Sequence, residues 1–264
     1  MRNRLIYAIG ENNKFTSFVI FITDCLSRTF MATISLFSDF PQSVGRDEAT
    51  DRNMHMQQHN QAKSSLKSPG PLFEAFKRAI DITAAVCGVV VLGPLLIGCA
   101  VWIKLVDGGP VFYSQWRVGT DGWLFKIYKF RTMRIDAEKG GAQWAAQSDP
   151  RVLRGCNWMR RSHVDELPQL WNILIGEMSL VGPRPERPEM TEELRKEIPG
   201  IEKRLAGRPG LTGLAQVRHG YTNDIAGARQ KIAYDLRYLR SRSVSEDLRL
   251  VLQTVPKVWD RAAL

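Results

Sequence analysis

The sequence predicts an α+β protein that is mostly helical and contains one membrane helix. Three observations support this fold class. Residues 82–103 form an uncharged apolar run of 22 residues, which is the length of a membrane helix. Residues 111–130 combine β-favouring side chains with a glycine-containing turn, as a β-hairpin does. Residues 152–259 carry several helix-start signals, which predict short helices around the hairpin.

Composition and charge narrow the function without fixing it. The chain of 264 residues has a net charge of +10, and the 29 basic and 21 acidic residues after Gly70 account for +8 of it. A basic surface suits nucleic acid, anionic lipid headgroups or substrates that carry phosphate, and the charge alone does not choose among them. The cysteines form no paired motif, which favours a reducing cytoplasmic setting over a disulfide framework.

Residues 1–70 are predicted to be a poorly ordered N-terminal extension. Asp24 and Arg28 interrupt its apolar stretch, so neither a signal peptide nor a clean membrane span fits. A weak amphipathic helix and translated sequence upstream of the real start both remain open. Residues 38–70 are polar and contain few apolar side chains, which is typical of disorder.

Residues 71–108 are predicted to form a re-entrant membrane helix. Pro94 lies near the middle of the apolar run, where it removes a backbone hydrogen bond and should kink or break the helix. The segment therefore either spans the bilayer with a kink or turns at Pro94 and leaves on the same face. Lys77 and Arg78 precede the run and Lys104 follows it. Because basic flanks prefer the cytoplasm, the hairpin topology is favoured.

The β-hairpin follows directly. Its first strand runs from Val111 toward Val118, the turn spans residues 119–122, and the second strand covers residues 123–130. Lys129 and Arg131 are two positions apart, so their side chains are expected on the same face.

Four helices are predicted after the hairpin. The first covers residues 152–161, and the second covers residues 164–175 with Pro168 in its first turn, where proline is tolerated. Thr191 is predicted to cap a short third helix that ends before Pro199.

The last helix is predicted from the capping-box pair Ser243 and Glu246. Pro256 should bend or end it. Its apolar side chains form one stripe: Leu248, Val251, Leu252, Val255 and Trp259. Such a stripe either packs on the core or makes the helix an interfacial amphipathic helix at a membrane.

Two short segments can carry chemistry. Asp165 and Glu166 are adjacent carboxylates, of which one could be a nucleophile and the other a ligand for a hard cation such as Mg²⁺. Arg160, just upstream, could hold phosphate oxygens. The simpler alternative is that both acids only favour a helix N-terminus. Downstream, Arg184 stands between Pro183 and Pro185 in a rigid turn, which suits phosphate recognition but also fits a purely structural turn.

Seven motifs in order resemble the bacterial sugar transferases, the monotopic phosphoglycosyl transferases that begin exopolysaccharide synthesis. The motifs are Lys77-Arg78 followed by Asp81, the apolar run broken at Pro94, Gly109-Pro110-Val111-Phe112, Tyr128-Lys129-Phe130-Arg131-Thr132-Met133, Asp165-Glu166-Leu167-Pro168-Gln169-Leu170, Gly182-Pro183-Arg184-Pro185 and Pro209-Gly210-Leu211-Thr212-Gly213. The resemblance covers residues 73–259. The chain departs from several relatives at Gly93, where serine is common, and at His163-Val164, where Ser-Leu is common.

The resemblance implies a reaction and a role for each matching residue. Asp165 would attack the sugar-bearing phosphate of a UDP-sugar, form a covalent phosphosugar intermediate and release UMP. Glu166 would bind Mg²⁺. Undecaprenyl phosphate would then accept the phosphosugar. The basic residues Lys129, Arg160 and Arg184 match positions around the substrate phosphates, and Arg131 is assigned to the same group.

The resemblance also implies a location. The catalytic domain, residues 109–264, would lie on the cytoplasmic face of the bacterial inner membrane, in contact with lipid and with no nucleic-acid partner. Galactose, glucose and N-acetylated sugars all fit, and the oligomeric state stays open. Two alternatives are a glycosyltransferase that moves the sugar alone and releases UDP, and a non-enzymatic basic membrane-associated scaffold.

Overall fold

The computed structural model describes residues 70–137, 149–219 and 224–259. This part of the chain is mostly helical and contains two small two-stranded sheets. The predicted α+β class is therefore confirmed. The predicted N-terminal extension lies, apart from Gly70, outside the described residues.

The first helix, α1, runs from Pro71 to Asp107. By length and composition alone it could cross a membrane. It ends at Gly108, whose φ of 69° is left-handed and whose N–H bonds to the Lys104 carbonyl. The helix continues through Pro94, which was expected to kink or break it. Re-entry at this position stays a prediction.

One face of α1 is buried along nearly its whole length. The buried residues recur every three or four positions: Lys77, Asp81, Ala85, Val89, Gly93, Leu96, Cys99, Ala100 and Ile103. The opposite face is apolar and exposed, with Leu72, Val91 and Leu105 between 74% and 83% accessible. An apolar surface of this extent indicates contact with a non-aqueous environment.

The predicted β-hairpin is confirmed. Strand β1, Phe112–Val118, pairs antiparallel with β2, Leu124–Phe130, and Tyr113 lies opposite Lys129. The tight turn between them includes Asp121 in the left-handed region at φ 56°. Arg131 follows directly after β2.

The helix predicted over residues 152–161 is shorter in the structure. Helix α2 covers only Asn157–Arg161. Gly155 has a φ of 81°, which no right-handed helix accommodates, and Val152 instead makes a β-bridge with Met133. The helical pattern was correct for the second half of the segment alone.

The helix predicted over residues 164–175 is split in two. A single 3₁₀ turn covers Val164–Glu166, and helix α3 covers Gln169–Ile175 after Pro168. Proline lacks the N–H that would continue the first turn into the second, so the chain restarts a helix at this point.

Two short strands form the second sheet. Strand β3, Ser179–Val181, pairs in parallel with β4, Gly210–Thr212. At the end of β3 the two backbones approach so closely that a Cβ on Gly210 would overlap the backbone of Gly182. The motif at residues 209–213 therefore contains a strand, and Gly210 is required for the close approach.

Helices α4 to α6 show one correction and one omission. Helix α4, Pro188–Glu197, starts before Thr191, which bonds the Arg187 carbonyl from inside the helix and does not cap it. A 3₁₀ helix covers Ile201–Ala206, and helix α5 covers Leu214–Arg218. Helix α6, Ile225–Ser241, was not predicted, although Asp224 caps it by accepting from the Gly227 N–H.

Helix α7, Val244–Thr254, begins as predicted, because Ser243 accepts from the Glu246 N–H. The predicted apolar stripe does not form the buried face. Leu248, Leu252 and Val255 are each about 60% exposed, while Leu250 is completely buried. Val251 of the stripe packs against the core cluster that contains Leu250, so the stripe is only partly exposed, and an interfacial position stays a prediction.

Apolar contacts bring α1, the hairpin and α3 together. Ala85 and Val89 pack with Phe125 of β2 and Leu170 of α3. Further along α1, residues 96–103 pack with Phe130 and with residues before and in α2. These two clusters set β2 and α3 against the same face of α1.

The charged residues near the start of α1 contact distant parts of the chain. Lys77 forms an ion pair with Asp247 of α7 at 2.5 Å, and Asp81 accepts from the Leu180 N–H at 3.0 Å. Arg78 donates to two carbonyls at the end of α3. Because buried charges are costly without partners, these contacts fix α1 in register on the other elements.

We predict that Gly210→Ala destabilises the protein, because the new Cβ would meet backbone that cannot move aside as a side chain can. Overpacking of this kind costs about 1–3 kcal/mol. Thermal unfolding in detergent measures the effect. Gly98→Ala is the matched control, since a Cβ there meets open space. Equal melting temperatures for the two variants would contradict the prediction.

Candidate active site

The Asp165-Glu166 pair lies on the single 3₁₀ turn between α2 and α3. His163 begins this turn with a φ of 52°, a left-handed conformation that is uncommon for a residue other than glycine. The turn places both carboxylates in the interior, where Asp165 is 9% and Glu166 is 8% accessible.

Glu166 is held by two cations from two other parts of the chain. Its Oε1 lies 2.7 Å from the Lys129 ammonium of β2 and 2.6 Å from Nη2 of Arg184, and its Oε2 lies 3.2 Å from Nη1 of Arg184. Burial alone would raise the pKa of Glu166, but Arg184 and Lys129 outweigh it and hold the pKa well below its ordinary value. Glu166 is therefore a permanent anion in this pocket.

Asp165 has the opposite environment. Among the described residues, none donates a hydrogen bond to its carboxylate or forms an ion pair with it. Burial raises the pKa of Asp165 to about 6; Lys129 opposes this shift, neighbouring Glu166 adds to it, and Arg160 and Arg184 also lower it. A carboxyl group with this pKa is ionised in about nine molecules of ten at pH 7.

The pKa values of the two adjacent carboxyl groups are therefore shifted in opposite directions. Pairs whose environments separate their pKa values are characteristic of groups with different roles in one reaction. Glu166 is a fixed charge that organises cations, whereas Asp165 is an unpaired carboxylate with cations nearby. An unpaired, poorly solvated carboxylate is suited to nucleophilic attack.

Backbone hydrogen bonds anchor both ends of the turn that carries Arg184. The Pro183 carbonyl accepts from the Gly210 N–H of β4 at 2.9 Å. The Glu186 carbonyl accepts from the Val118 N–H at the end of β1 at 3.0 Å. The turn is therefore fixed between the parallel sheet and the hairpin.

Two guanidinium groups, one buried and one half-buried, hold the middle of the same turn. Arg204 donates to the Arg184 carbonyl at 2.8 Å and forms an ion pair with Asp235 of α6 at 2.6 Å. Arg117 of β1 donates to the Pro185 carbonyl at 3.1 Å. With four successive carbonyls bonded, little conformational freedom is left for Arg184 to lose when it binds a ligand.

The structure brings together most of the predicted site residues. Lys129, Glu166 and Arg184 form one contact network, and Asp165 is the neighbour of Glu166 on the same turn. Pro183 and Pro185 flank Arg184 in the sequence. Arg160 acts on Asp165 electrostatically from α2.

Arg131 is held by other partners. Its guanidinium lies 2.6 Å from Asp107 at the end of α1 and donates to the Pro110 carbonyl at 2.5 Å. The side chain is buried, so these contacts join the hairpin to α1. Its expected role in phosphate binding stays a prediction, and the contacts found are structural. The same-face argument placed it with Lys129, but β2 ends at Phe130 and the alternation ends with it.

Sequence reasoning missed Arg117 and Arg204. Each supports the turn from a distant position, 68 residues away for Arg117 and 20 residues away for Arg204. No local spacing marks either residue, and the helix that supplies Asp235 was itself not predicted.

The described residues offer few ligands for a metal ion. No group of three or more His, Cys, Asp or Glu side chains gathers there as a metal site. The remaining candidate is the Asp165-Glu166 pair, whose oxygens are the ligand type that Mg²⁺ prefers.

Comparison with known proteins gives consistent results. A model of the family described as bacterial sugar transferase matches residues 72–261. The UDP-N-acetylgalactosamine-undecaprenyl-phosphate N-acetylgalactosaminephosphotransferase of Aeromonas hydrophila is 43% identical over 196 residues, which is 74% of this chain and 46% of that protein. The chain thus spans about half of that relative's length.

Two other relatives are covered more fully. The UDP-glucose:undecaprenyl-phosphate glucose-1-phosphate transferase of Caulobacter vibrioides is 40% identical, covering 74% of this chain and 75% of that protein. The exopolysaccharide production protein PSS of Rhizobium leguminosarum bv. phaseoli is 43% identical, covering 68% and 92%. With the family model matching most of the chain and the Asp165-Glu166 pocket present, this protein belongs to the bacterial sugar transferase family.

Proposed function

We propose that the protein transfers a sugar 1-phosphate from a UDP-sugar to undecaprenyl phosphate and releases UMP. This reaction would be the first membrane step in the synthesis of an exopolysaccharide or related surface glycan. The observation that carries the proposal is the unpaired Asp165 carboxylate beside a Glu166 that two cations hold. The names of the Aeromonas and Caulobacter relatives, which specify undecaprenyl-phosphate transferases, support the same reaction.

In the first step, a carboxylate oxygen of Asp165 attacks the phosphorus that bears the sugar. The bond from that phosphorus to the oxygen shared with the other phosphate breaks, and UMP leaves with the electron pair. The sugar phosphate is then bound to Asp165 as an acyl phosphate. Phosphoryl transfer depends mainly on alignment and charge stabilisation, so an unpaired carboxylate among cations supplies what this step requires.

In the second step, a phosphate oxygen of undecaprenyl phosphate attacks the same phosphorus. The aspartyl oxygen–phosphorus bond breaks, which restores the Asp165 carboxylate and yields the lipid-linked diphosphate sugar. This sequence predicts ping-pong kinetics.

The basic residues have separate roles in this proposal. Arg184 is part-exposed and held by its turn, so one side of its guanidinium can meet phosphate oxygens while the other holds Glu166. Lys129 and Arg160 place positive charge beside Asp165, which favours its ionised form.

Mg²⁺ fits this pocket as a partner that binds with the substrate. Proteins usually hold Mg²⁺ through one or two carboxylates together with substrate phosphates, and Glu166 would supply one such carboxylate. Of the Glu166 oxygens, Oε2 has the longer contact, 3.2 Å from Arg184, so it is the better placed to be shared. The ion would neutralise charge on the diphosphate.

We propose that α1 contacts the membrane through its exposed face. Residues 85–103 of α1 pack against β2, α3 and α2. If α1 crossed the bilayer along its normal, the charged side chains of these three elements would be drawn into the hydrocarbon. Each such charge costs about 2.5–3.5 kcal/mol at the bilayer centre. This argument supports re-entry or one-leaflet contact. The basic flanks of the apolar run, Lys77, Arg78 and Lys104, favour the cytoplasmic face of the inner membrane for residues 109–264.

The test is nucleotide release by purified protein in detergent with Mg²⁺, undecaprenyl phosphate and a panel of UDP-sugars. UMP release with one donor supports the proposal and identifies the sugar. UDP release would establish a glycosyltransferase that moves the sugar alone. No nucleotide release from any donor would favour a non-enzymatic scaffold.

We predict that Asp165→Asn abolishes UMP release while the protein stays folded. The amide cannot form the acyl phosphate, and removing a buried unpaired charge should leave the melting temperature at pH 7 unchanged or higher. Nucleotide release and thermal unfolding are measured on the same sample. Asp136→Asn, which changes an exposed carboxylate, is the control and should keep full activity. Wild-type turnover by Asp165→Asn would disprove the nucleophile assignment.

We predict that the first half-reaction is lost at acid pH with a midpoint near the Asp165 pKa of about 6. The reactive form is the carboxylate, so the rate should fall about tenfold per unit below this pH. The measurement is the UMP burst, the rapid release of up to one UMP per enzyme when the UDP-sugar is added without acceptor. The acceptor is omitted because its phosphate monoester itself titrates near pH 6. A burst rate that stays constant between pH 5 and 8 would contradict the prediction.

We predict that Arg184→Ala lowers kcat/KM for the UDP-sugar by about 100-fold or more, the usual effect of removing one charge-stabilising donor. The steady-state rate at varied donor concentration measures it. Arg195→Ala serves as control, because that arginine pairs with Glu192 on the exposed face of α4. Similar kcat/KM values for both variants would exclude Arg184 from substrate binding.

A further inference from the structure

Asn172 is a fully buried polar residue of α3 that the reaction described above does not use. Its side-chain Oδ1 accepts from the Tyr128 N–H at 3.1 Å. Its Nδ2 donates to the Lys126 carbonyl and to the Glu177 carboxylate, both at 2.7 Å. One acceptor bond and two donor bonds satisfy the carboxamide and fix its orientation.

Two of these three contacts are with the backbone of β2. The inner edge of β2 pairs with β1, so the Lys126 carbonyl and the Tyr128 N–H belong to the outer edge, where a third strand would pair. In the described sheet no third strand is present on that edge. The Asn172 carboxamide takes its place and satisfies both groups.

The position of this contact connects it to the Asp165-Glu166 pocket. Lys129 is the residue after Tyr128, and its ammonium lies 2.7 Å from Glu166. Asn172 and Glu166 are six residues apart on one compact unit, the 3₁₀ turn and α3. The same unit therefore makes two contacts with β2: Asn172 bonds the backbone of the strand, and Glu166 bonds the side chain of Lys129.

The two kinds of contact between β2 and α3 constrain different motions. Phe125 and Ile127 pack on Leu170 and Ile173, which sets the separation of the two elements. Apolar contacts are not directional, so they tolerate a small slide of the strand. Hydrogen bonds weaken steeply with distance and angle, so the Asn172 contacts set the position along the strand.

We propose that Asn172 is a positioning residue for the transfer reaction: by bonding the outer edge of β2 it holds the Lys129 ammonium at Glu166 and beside Asp165. The proposal rests on the proposed function and adds a residue to it. The carboxamide touches no reacting atom and acts through Lys129. A displacement of about 1 Å in a catalytic group can cost a factor of about 100 in rate, so loss of this contact should be measurable.

The experiment is a double-mutant cycle on the UMP burst, with Asn172→Ala, Lys129→Ala and the double variant in detergent. If Asn172 acts through Lys129, Asn172→Ala alone lowers the burst rate constant about 10- to 100-fold, and in the Lys129→Ala background it lowers it by less than about threefold. Equal fold losses in both backgrounds, or a wild-type burst rate in Asn172→Ala, would overturn the proposal.

A second readout separates positioning from stability. The melting temperature of each variant is measured on the sample used for the burst. At a temperature where Asn172→Ala is fully folded, a residue that only stabilises the fold would leave the burst rate constant at the wild-type value, and this result would overturn the proposal. A positioning residue lowers the rate constant of the fully folded variant, because the Lys129 ammonium no longer lies 2.7 Å from Glu166.

Two further variants complete the test. Glu177→Gln keeps an acceptor for Asn172 and leaves the β2 contacts intact, so a wild-type burst is expected; a loss equal to that of Asn172→Ala would overturn the proposal. If Asn172→Ala does not fold, Asn172→Asp replaces it. It keeps the acceptor for Tyr128 but places an oxygen against the Lys126 carbonyl, and it should show the same loss and non-additivity. Wild-type protein that releases no UMP would instead refute the proposed function itself.

Discussion

The ion pairs of Glu166 with Lys129 and Arg184 are the interaction on which the rest of the pocket depends. They join the hairpin, the 3₁₀ turn and the proline-flanked turn through one buried carboxylate. Removing one partner of a buried ion pair typically costs about 3–5 kcal/mol, because a charge is left without compensation. With both cations committed to Glu166, the neighbouring Asp165 keeps no partner among the described residues. A buried charge without a partner is unfavourable for stability, and such unfavourable positions are expected at reactive groups.

Helix α1 supplies the surface on which these elements assemble. Its polar start contacts Asp247, the Leu180 N–H and carbonyls of α3, and its apolar face packs against β2 and α3. The opposite face is apolar and exposed. In the proposed function, a single helix provides both the packing surface of the pocket and the membrane contact, which would keep the pocket near the lipid. This arrangement suits a reaction in which one substrate is water-soluble and the other is a lipid.

The sequence by itself determined the features that depend on neighbouring residues. Alternation and a glycine-containing turn predicted the hairpin, and an uncharged run predicted α1. The Ser243 cap located the start of α7 because the capping bond spans only three residues. The Asp165-Glu166 pair could be selected because adjacent carboxylates can act as nucleophile and cation ligand, and Arg184 because two flanking prolines restrict its backbone. Where a local conformation overrode the pattern, as the left-handed Gly155 did, the predicted helix was too long.

Only the tertiary structure decided which of these groups meet. The sequence did not indicate that Arg204 bonds the Arg184 carbonyl, that Asn172 occupies the outer edge of β2, or that Arg131 is committed to Asp107. These contacts join residues 20 to 46 positions apart, and they form because buried hydrogen-bonding groups must find partners wherever packing brings them. Residue type fixes what a side chain can do. The packing of α1, β2 and α3 fixes which partner it has, and hence why Asp165 has none among the residues that the structure describes.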